Sequence, residues 1–223
     1  MYRSVTSSRR KTVTKRKPVQ AARRAAKPGK RAAERIRETA RDLFYRQGIR
    51  AVGVEEIVTR AGVTKPSLYR SFLSKDALAA DYLRHMGEEG LARFDAAIAA
   101  DPQNPRGQLR VWLMELQAKA DKKDYRGCGT TNAAVEYPDR RHPARKVASD
   151  IKSRFRGRLA ALAASLGAAE PDRMGDALML LFEGVFASGQ LFGPGGPARV
   201  LLEAVDAVID SYLASDRTAI RVD

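Results

Sequence analysis

The sequence predicts an all-α protein. Three observations point to that class: apolar residues recur at three- and four-residue spacing along most of the chain, no stretch alternates with the period of two that a half-buried strand needs, and the breaks between periodic segments are rich in glycine and proline. With 223 residues and 44% hydrophobic composition, the chain can bury a core without disulfide or metal staples.

Charge sets the N-terminal segment apart. Residues 1–30 hold 11 lysines and arginines and no acid, whereas the other 30 basic residues nearly balance 26 acidic ones. The segment has few large apolar side chains and two prolines, Pro18 and Pro28. It cannot bury enough surface to offset its ordering entropy, so a disordered basic arm is expected. Such an arm suits a polyanionic partner. A merely solvated tail and an organelle transit sequence share the same composition. The single cysteine, Cys128, allows no intrachain disulfide and suits a reducing, cytoplasmic setting. No apolar run approaches the ~20 residues of a membrane helix, so no membrane partner is expected.

The elements follow in order. Ile36, Ala40, Leu43, Phe44 and Gln47 mark a first helix that Gly48 stops. Val54, Ile57, Val58 and Ala61 mark a short second helix ending at Gly62. A third covers about 65–72, with Thr64 as cap and Pro66 in the first turn, where a missing N–H costs little. Ser74 caps a fourth that starts near Lys75 and runs through Leu78, Tyr82 and Met86. Longer helices are expected over about 106–121, 143–166, 171–192 and 197–214, separated by Asp101–Pro105, Gly127–Gly129, Gly167 and Gly193–Pro197. The whole reads as about nine helices.

The second and third helices, joined by Ala61-Gly62-Val63-Thr64, form a helix-turn-helix. Gly62 stands where the chain needs a positive φ, and Ala61 is small enough for close helix approach. Val63, Leu68 and Phe72 are expected to pack inward. That leaves Lys65, Ser67, Tyr69, Arg70 and Ser71 on or beside the outward face of a helix that fits a DNA major groove. Arg70 is the candidate for reading guanine, with a phosphate contact as its alternative, and Tyr69 is expected to touch phosphate rather than join the core.

The stretch Ala61-Gly62-Val63-Thr64-Lys65-Pro66-Ser67-Leu68-Tyr69-Arg70-Ser71-Phe72-Leu73-Ser74-Lys75-Asp76-Ala77-Leu78 closely resembles the signature of the TetR (tetracycline-repressor-like) family. Ala40-Arg41-Asp42-Leu43-Phe44 and Gly48 match the family's first helix, and the likeness extends over about 35–83. Further on, Arg126-Gly127-Cys128, Asn132-Ala133-Ala134-Val135-Glu136 and His142-Pro143 resemble one branch of the family's ligand domain. The resemblance implies a ligand-released repressor that binds a near-palindromic double-stranded DNA operator. It implies a homodimer held by the last two helices, and a pocket in each C-terminal domain for an unidentified small-molecule effector. Carried over by position, Lys65, Pro66, Ser67, Tyr69, Arg70 and Ser71 line the DNA surface, and Lys75 clasps a phosphate. Gly53 departs from the family, which usually places a capping Thr or Ser there. The expected division is a basic arm at 1–30, a DNA-binding domain at 31–78, an effector-binding and dimerisation domain at 79–216, and a flexible end at 217–223.

For the pocket, Trp112, Met114, Leu178, Phe182 and Phe186 fall on helices expected to surround a central cavity, although each can equally be ordinary core. Asn132 and Glu136 are expected to border it, and an apolar lining favours a hydrophobic or aromatic effector. Cys128, at a glycine-flanked loop, reads either as a redox sensor or as a small buried hydrophobe. Glu136 and His142 suit helix-end or loop roles; with two histidines in the chain, His85 and His142, no zinc-like spacing exists. No cofactor is expected. The Gly193–Pro197 stretch lacks the preceding strand and terminal Lys-Ser/Thr of a phosphate loop. Nothing supports an enzyme: there is no nucleophile–base pair, metal set or cofactor loop. A low-specificity architectural DNA-binding protein is the alternative that the basic arm favours, and a ligand-binding module without DNA function is opposed by Lys65, Tyr69 and Lys75.

Overall fold

The computed structural model describes residues 28–219 and the side chains of 31–214. The described residues are helical: α1 (Pro28–Gln47), α2 (Val54–Ala61), α3 (Lys65–Ser71), α4 (Lys75–Ala99), α5 (Pro105–Ala120), α6 (Gly129–Glu136), α7 (Pro143–Ser165), α8 (Pro171–Phe192) and, after a 3₁₀ turn at Pro197–Val200, α9 (Leu201–Ala219). The arm expected over 1–30 lies outside the described residues except for Pro28–Lys30, which open α1. Helix α9 continues to Ala219 rather than stopping near 214, and 220–223 lie outside the described residues.

Two apolar clusters organise these helices. In the first, Ile36, Ala40, Leu43 and Phe44 of α1 meet Ile57, Val58 and Ala61 of α2 and Leu68 of α3. Phe72, Leu78, Ala79, Tyr82 and Leu83 join the same cluster, as do Ala133 of α6 and Ala144 and Ala148 of α7. Helix α4 is a single 25-residue helix whose first half belongs to this cluster and whose Phe94 belongs to the second. The second cluster joins Leu109, Leu113 and Leu116 of α5, Leu159 and Leu162 of α7, Leu178 and Phe182 of α8 and Val205 and Ile209 of α9. Phe94, Trp112, Phe155 and Phe182 form an aromatic set within it; Trp112 stands edge-on to Phe94 at 5.2 Å and to Phe182 at 5.3 Å between ring centroids. Such pairs add ~0.5–1.5 kcal/mol beyond the area they bury.

Helix α7 runs along both α4 and α8. A Cβ at Gly175 of α8 would lie 2.8 Å from the Ala160 backbone nitrogen, so glycine is what lets α7 and α8 approach backbone to backbone. Arg158 of α7 grips Asp95 of α4 through both carboxylate oxygens, at 2.6 and 2.8 Å. Arg106 ties α5 to α9 through Asp206 and Asp210.

Helix α6 was not foreseen as a helix. Its sequence, Gly-Thr-Thr-Asn-Ala-Ala-Val-Glu, is short and rich in β-branched and glycine residues of weak helix propensity. Burial of Gly129, Thr130 and Ala133 supplies the stabilisation that propensity does not.

Candidate functional site

The turn between α2 and α3 folds for local reasons. Gly62 sits at φ 60°, ψ 42°, and the N–H groups of Gly62 and Val63 donate back to the carbonyls of Thr59 and Val58 at 3.2 and 3.0 Å, closing the end of α2. Leu68 is fully buried and Phe72 nearly so, and Arg37 of α1 lies over the Phe72 ring at 5.3 Å. Full burial of a leucine side chain stabilises by ~1.5–3 kcal/mol, which anchors a seven-residue helix too short to persist alone.

The opposite face of α3 is open. Lys65, Pro66, Tyr69, Arg70 and Ser71 are exposed and Ser67 is half-buried. Arg70 donates to the Ser67 hydroxyl at 2.8 Å, and Lys65 pairs loosely with Glu55 of α2 at 3.6 Å. Thr64 does not cap the α3 backbone as expected: its hydroxyl lies 3.0 Å from that of Ser67. Ser74 does cap α4, accepting from the Ala77 N–H at 3.0 Å. Gly53 precedes α2 without any side-chain cap, so Glu55 and Glu56 complement the helix dipole there alone. Lys75 donates to the Arg50 carbonyl at 3.1 Å, which holds its ammonium beside the α1–α2 loop.

Behind this surface lies a cavity of about 540 Å³. Its apolar walls are Met86 and Leu91 of α4, Trp112 and Leu116 of α5, Ile151 and Phe155 of α7 and Phe186 of α8. Tyr125, Gly127, Cys128, Gly129 and Thr130 close one side, and Glu38, Arg41, Asp42 and Tyr45 of α1 another. Lys152 of α7 enters with its side chain 20% exposed, paired with Glu183 and 4.7 Å from the Phe186 ring centroid. Glu183 also accepts from the Thr131 hydroxyl at 2.8 Å.

The Cys128 thiol feels opposing influences. Burial raises its pKa, but the Lys152 charge, the Thr130 hydroxyl and the backbone N–H groups of Thr130 and Thr131 outweigh burial and bring it below the usual thiol value. Tyr82 is buried with its hydroxyl unpartnered, and burial drives its pKa far above the ordinary tyrosine range.

Helix α6 connects the cavity to the loop that precedes the helix-turn-helix. Its first residues, Gly129 and Thr130, line the cavity, and its last, Glu136, accepts the Arg50 N–H at 2.7 Å. Arg50 returns a bond from its guanidinium to the Glu136 carbonyl at 3.3 Å. Next to this junction His142 caps α7 by accepting from the Ala144 N–H at 3.2 Å, stacks on Tyr137 at 3.8 Å and faces Asp76 of α4 at 3.4 Å.

Residues 36–82 match the family model described as bacterial regulatory proteins, tetR family. Among solved structures, a TetR-family transcriptional regulator from Streptomyces coelicolor is 31% identical, with 82% of this chain and 96% of that chain covered and a TM-score of 0.77. This chain belongs to the TetR family. A tetR-type transcriptional regulator from Streptomyces avermitilis is likewise 31% identical over 79% of this chain and 97% of its own, with a TM-score of 0.69. The reduced form of NemR from Escherichia coli shares the fold at 18% identity, covering 79% of this chain and 97% of that one with a TM-score of 0.70. No curated protein matches the sequence significantly. The chain is thus a DNA-binding transcriptional regulator, not an enzyme. No helix among the described residues is long and apolar enough to cross a membrane.

Within this TetR-family fold, the residues singled out from sequence separate into groups. Trp112, Cys128 and Phe186 line the cavity. Five others do not. Met114 is 58% exposed because it lies on the outer side of α5. Leu178 and Phe182 are fully buried in the second cluster, with Phe182 backing the wall from behind. Asn132 donates to the Arg126 carbonyl at 2.6 Å, one helical turn beyond the lining residues. Glu136 faces Arg50 at the far end of α6. Sequence reasoning also placed the pocket wholly in the C-terminal domain, whereas Glu38, Arg41, Asp42 and Tyr45 bring α1 into its wall. Lys152, Tyr82, Tyr125 and Tyr45 were missed as lining residues. Only Lys152 carried a signal, as a cation directly after Ile151 in the apolar stripe of α7.

Proposed function

We propose that this TetR-family regulator is a ligand-released repressor that binds a near-palindromic operator as a homodimer. The observation that carries the reading is the cavity that reaches from the C-terminal helices to α1 and, through α6, to the Arg50 loop of the reading head. In this reading Lys65, Pro66, Ser67, Tyr69, Arg70 and Ser71 face DNA, and Lys75 approaches a phosphate. The second copy packs through α8 and α9. Supporting this, Leu180, Gly184, Ala187 and Leu191 recur at helical spacing along an exposed stripe of α8, with small residues between the leucines. Leu180 and Leu191 are 74% and 77% exposed, an apolar surface that a second copy would cover.

Pairing sets the two α3 helices about 34–36 Å apart, one turn of DNA. A hydrophobic or aromatic effector pressing on α1 and on the start of α6 shifts the reading head relative to that spacing. DNA and effector then oppose one another through a coupling of ~1–3 kcal/mol. A gel-shift titration with fragments from upstream of the protein's own coding region tests this: one fragment outcompetes random duplex and is released by a cavity ligand. If no fragment outcompetes random DNA, the specific-repressor reading fails. The charge of residues 1–30 favours a second reading, a low-specificity architectural protein, for which affinity is uniform across sequences and falls steeply with salt.

A further inference from the structure

Three features that donate hydrogen bonds or carry positive charge meet at one end of the cavity. The first is Lys152. Of the charged side chains lining the cavity it is the deeply placed one; Glu38, Arg41, Asp42, Arg93 and Lys119 are exposed residues on its rim. Its ammonium has three N–H donors; Glu183 accepts one, the Phe186 ring covers a face, and no other acceptor among the described residues takes the rest. The second is the start of α6, whose positive end, like Lys152, acts on the Cys128 thiol. The third is Tyr82, 6% exposed, whose buried hydroxyl has no partner. A Cβ on Gly129 would lie 2.9 Å from that hydroxyl, so it is aimed at the first residue of α6. An unmade buried hydrogen bond costs ~1–3 kcal/mol. Trp112, Phe155 and Phe186 line the same cavity, with Phe186 next to Lys152.

We propose that the effector is a planar aromatic carboxylate, its ring lying among Trp112, Phe155 and Phe186 and its carboxylate received by Lys152 and the Cys128–Gly129 end of α6. The proposal rests on the ligand-cavity reading above and narrows it to one chemical class. Lys152, paired on one side with Glu183, also acts on the Cys128 thiol and favours its charged form. A cation would meet the ammonium and the helix N-terminus head-on. A neutral arene would leave the donors unmet. The volume of about 540 Å³ holds a two-ring acid with room to spare.

Calorimetric titration of the full-length protein with 2-naphthoate, neutral 2-naphthamide and cationic 2-naphthylmethylamine tests the assignment. The carboxylate is expected to bind about tenfold or more tighter than the amide, as a charge-assisted bond exceeds a neutral one, and the amine weakest of all. Lys152→Met is expected to remove most of the advantage of naphthoate over the amide. Because that variant strands Glu183, a second measurement uses the unaltered chain: naphthoate slows iodoacetamide alkylation of Cys128, and the amine at equal concentration does not. Equal affinity for acid and amide, or alkylation unaffected by naphthoate, overturns the anion assignment and leaves a ligand cavity standing. Absence of binding by all three compounds overturns both.

Discussion

Glu136→Ala cuts the link between the cavity and the reading head at one atom. The Glu136 carboxylate accepts the Arg50 N–H at 2.7 Å, while the second bond of the junction, from the Arg50 guanidinium, goes to the Glu136 backbone carbonyl and survives the substitution. A hydrogen bond to a charged acceptor contributes ~1.5–3 kcal/mol. Arg50 is exposed and Glu136 half-buried, so water can re-solvate the freed amide and the loss falls near the lower end, ~1–1.5 kcal/mol. For a chain of this size ~1 kcal/mol moves Tm by about 2–4 °C, giving an expected fall of about 2–6 °C. Glu136→Gln keeps a neutral acceptor in place and is expected to lose about half as much. The assay is thermal unfolding of parent and both variants at one protein concentration, paired with operator titration with and without effector. The substitution is expected to weaken the antagonism between effector and DNA as well as stability. An Ala variant that melts with the parent would refute the energetic argument. One that melts lower but keeps the full antagonism would refute the role of α6 in transmitting it.

Further outcomes follow from the same geometry. Leu68→Ala removes a fully buried side chain from under α3 and is expected to cost ~2–5 kcal/mol, read as a lower Tm together with loss of operator binding. Arg70→Ala, on the exposed face, is expected to leave Tm unchanged while relaxing base preference by ~1–3 kcal/mol in competition gel shifts; a variant with parental specificity would remove Arg70 from base reading. The Cys128 thiol lies below its ordinary value of 9.0, so the pH profile of its alkylation is expected to rise at lower pH than that of a free thiol, and Lys152→Met to move it back up. The stability this shift contributes is complete above the unfolded thiol's value and fades as pH falls through the folded one, so melting curves across that window carry the same sign. Leu180→Glu combined with Leu191→Glu places charge on the exposed stripe of α8 and is expected to yield monomers by sedimentation where the parent sediments as a dimer.

What was legible in the sequence was local. Apolar spacing located α1 to α3 because each helix buries one stripe, and Leu68 and Phe72 announced the inward face of α3 and hence its outward one. Gly62 marked the turn because its positive φ is a property of the residue itself. Helix α6 was invisible by the same logic: propensity is weak there, and the burial that stabilises it comes from helices distant in the chain.

The cavity belongs to the tertiary structure alone. Periodicity tells that Phe182 and Phe186 share a face of α8, but not that one backs the wall and the other forms it, since that depends on where α5 and α7 lie. Nor can spacing place Glu136 against Arg50, 86 residues away, or bring Tyr45 of α1 into a wall with Phe186. The sequence by itself determined the all-α class, the helices of the helix-turn-helix and the family. Which side chains meet across α4, α6 and α7, and so what the cavity can hold, was decided only when helices far apart in the chain packed together, because a pocket is a relation between surfaces that no single segment contains.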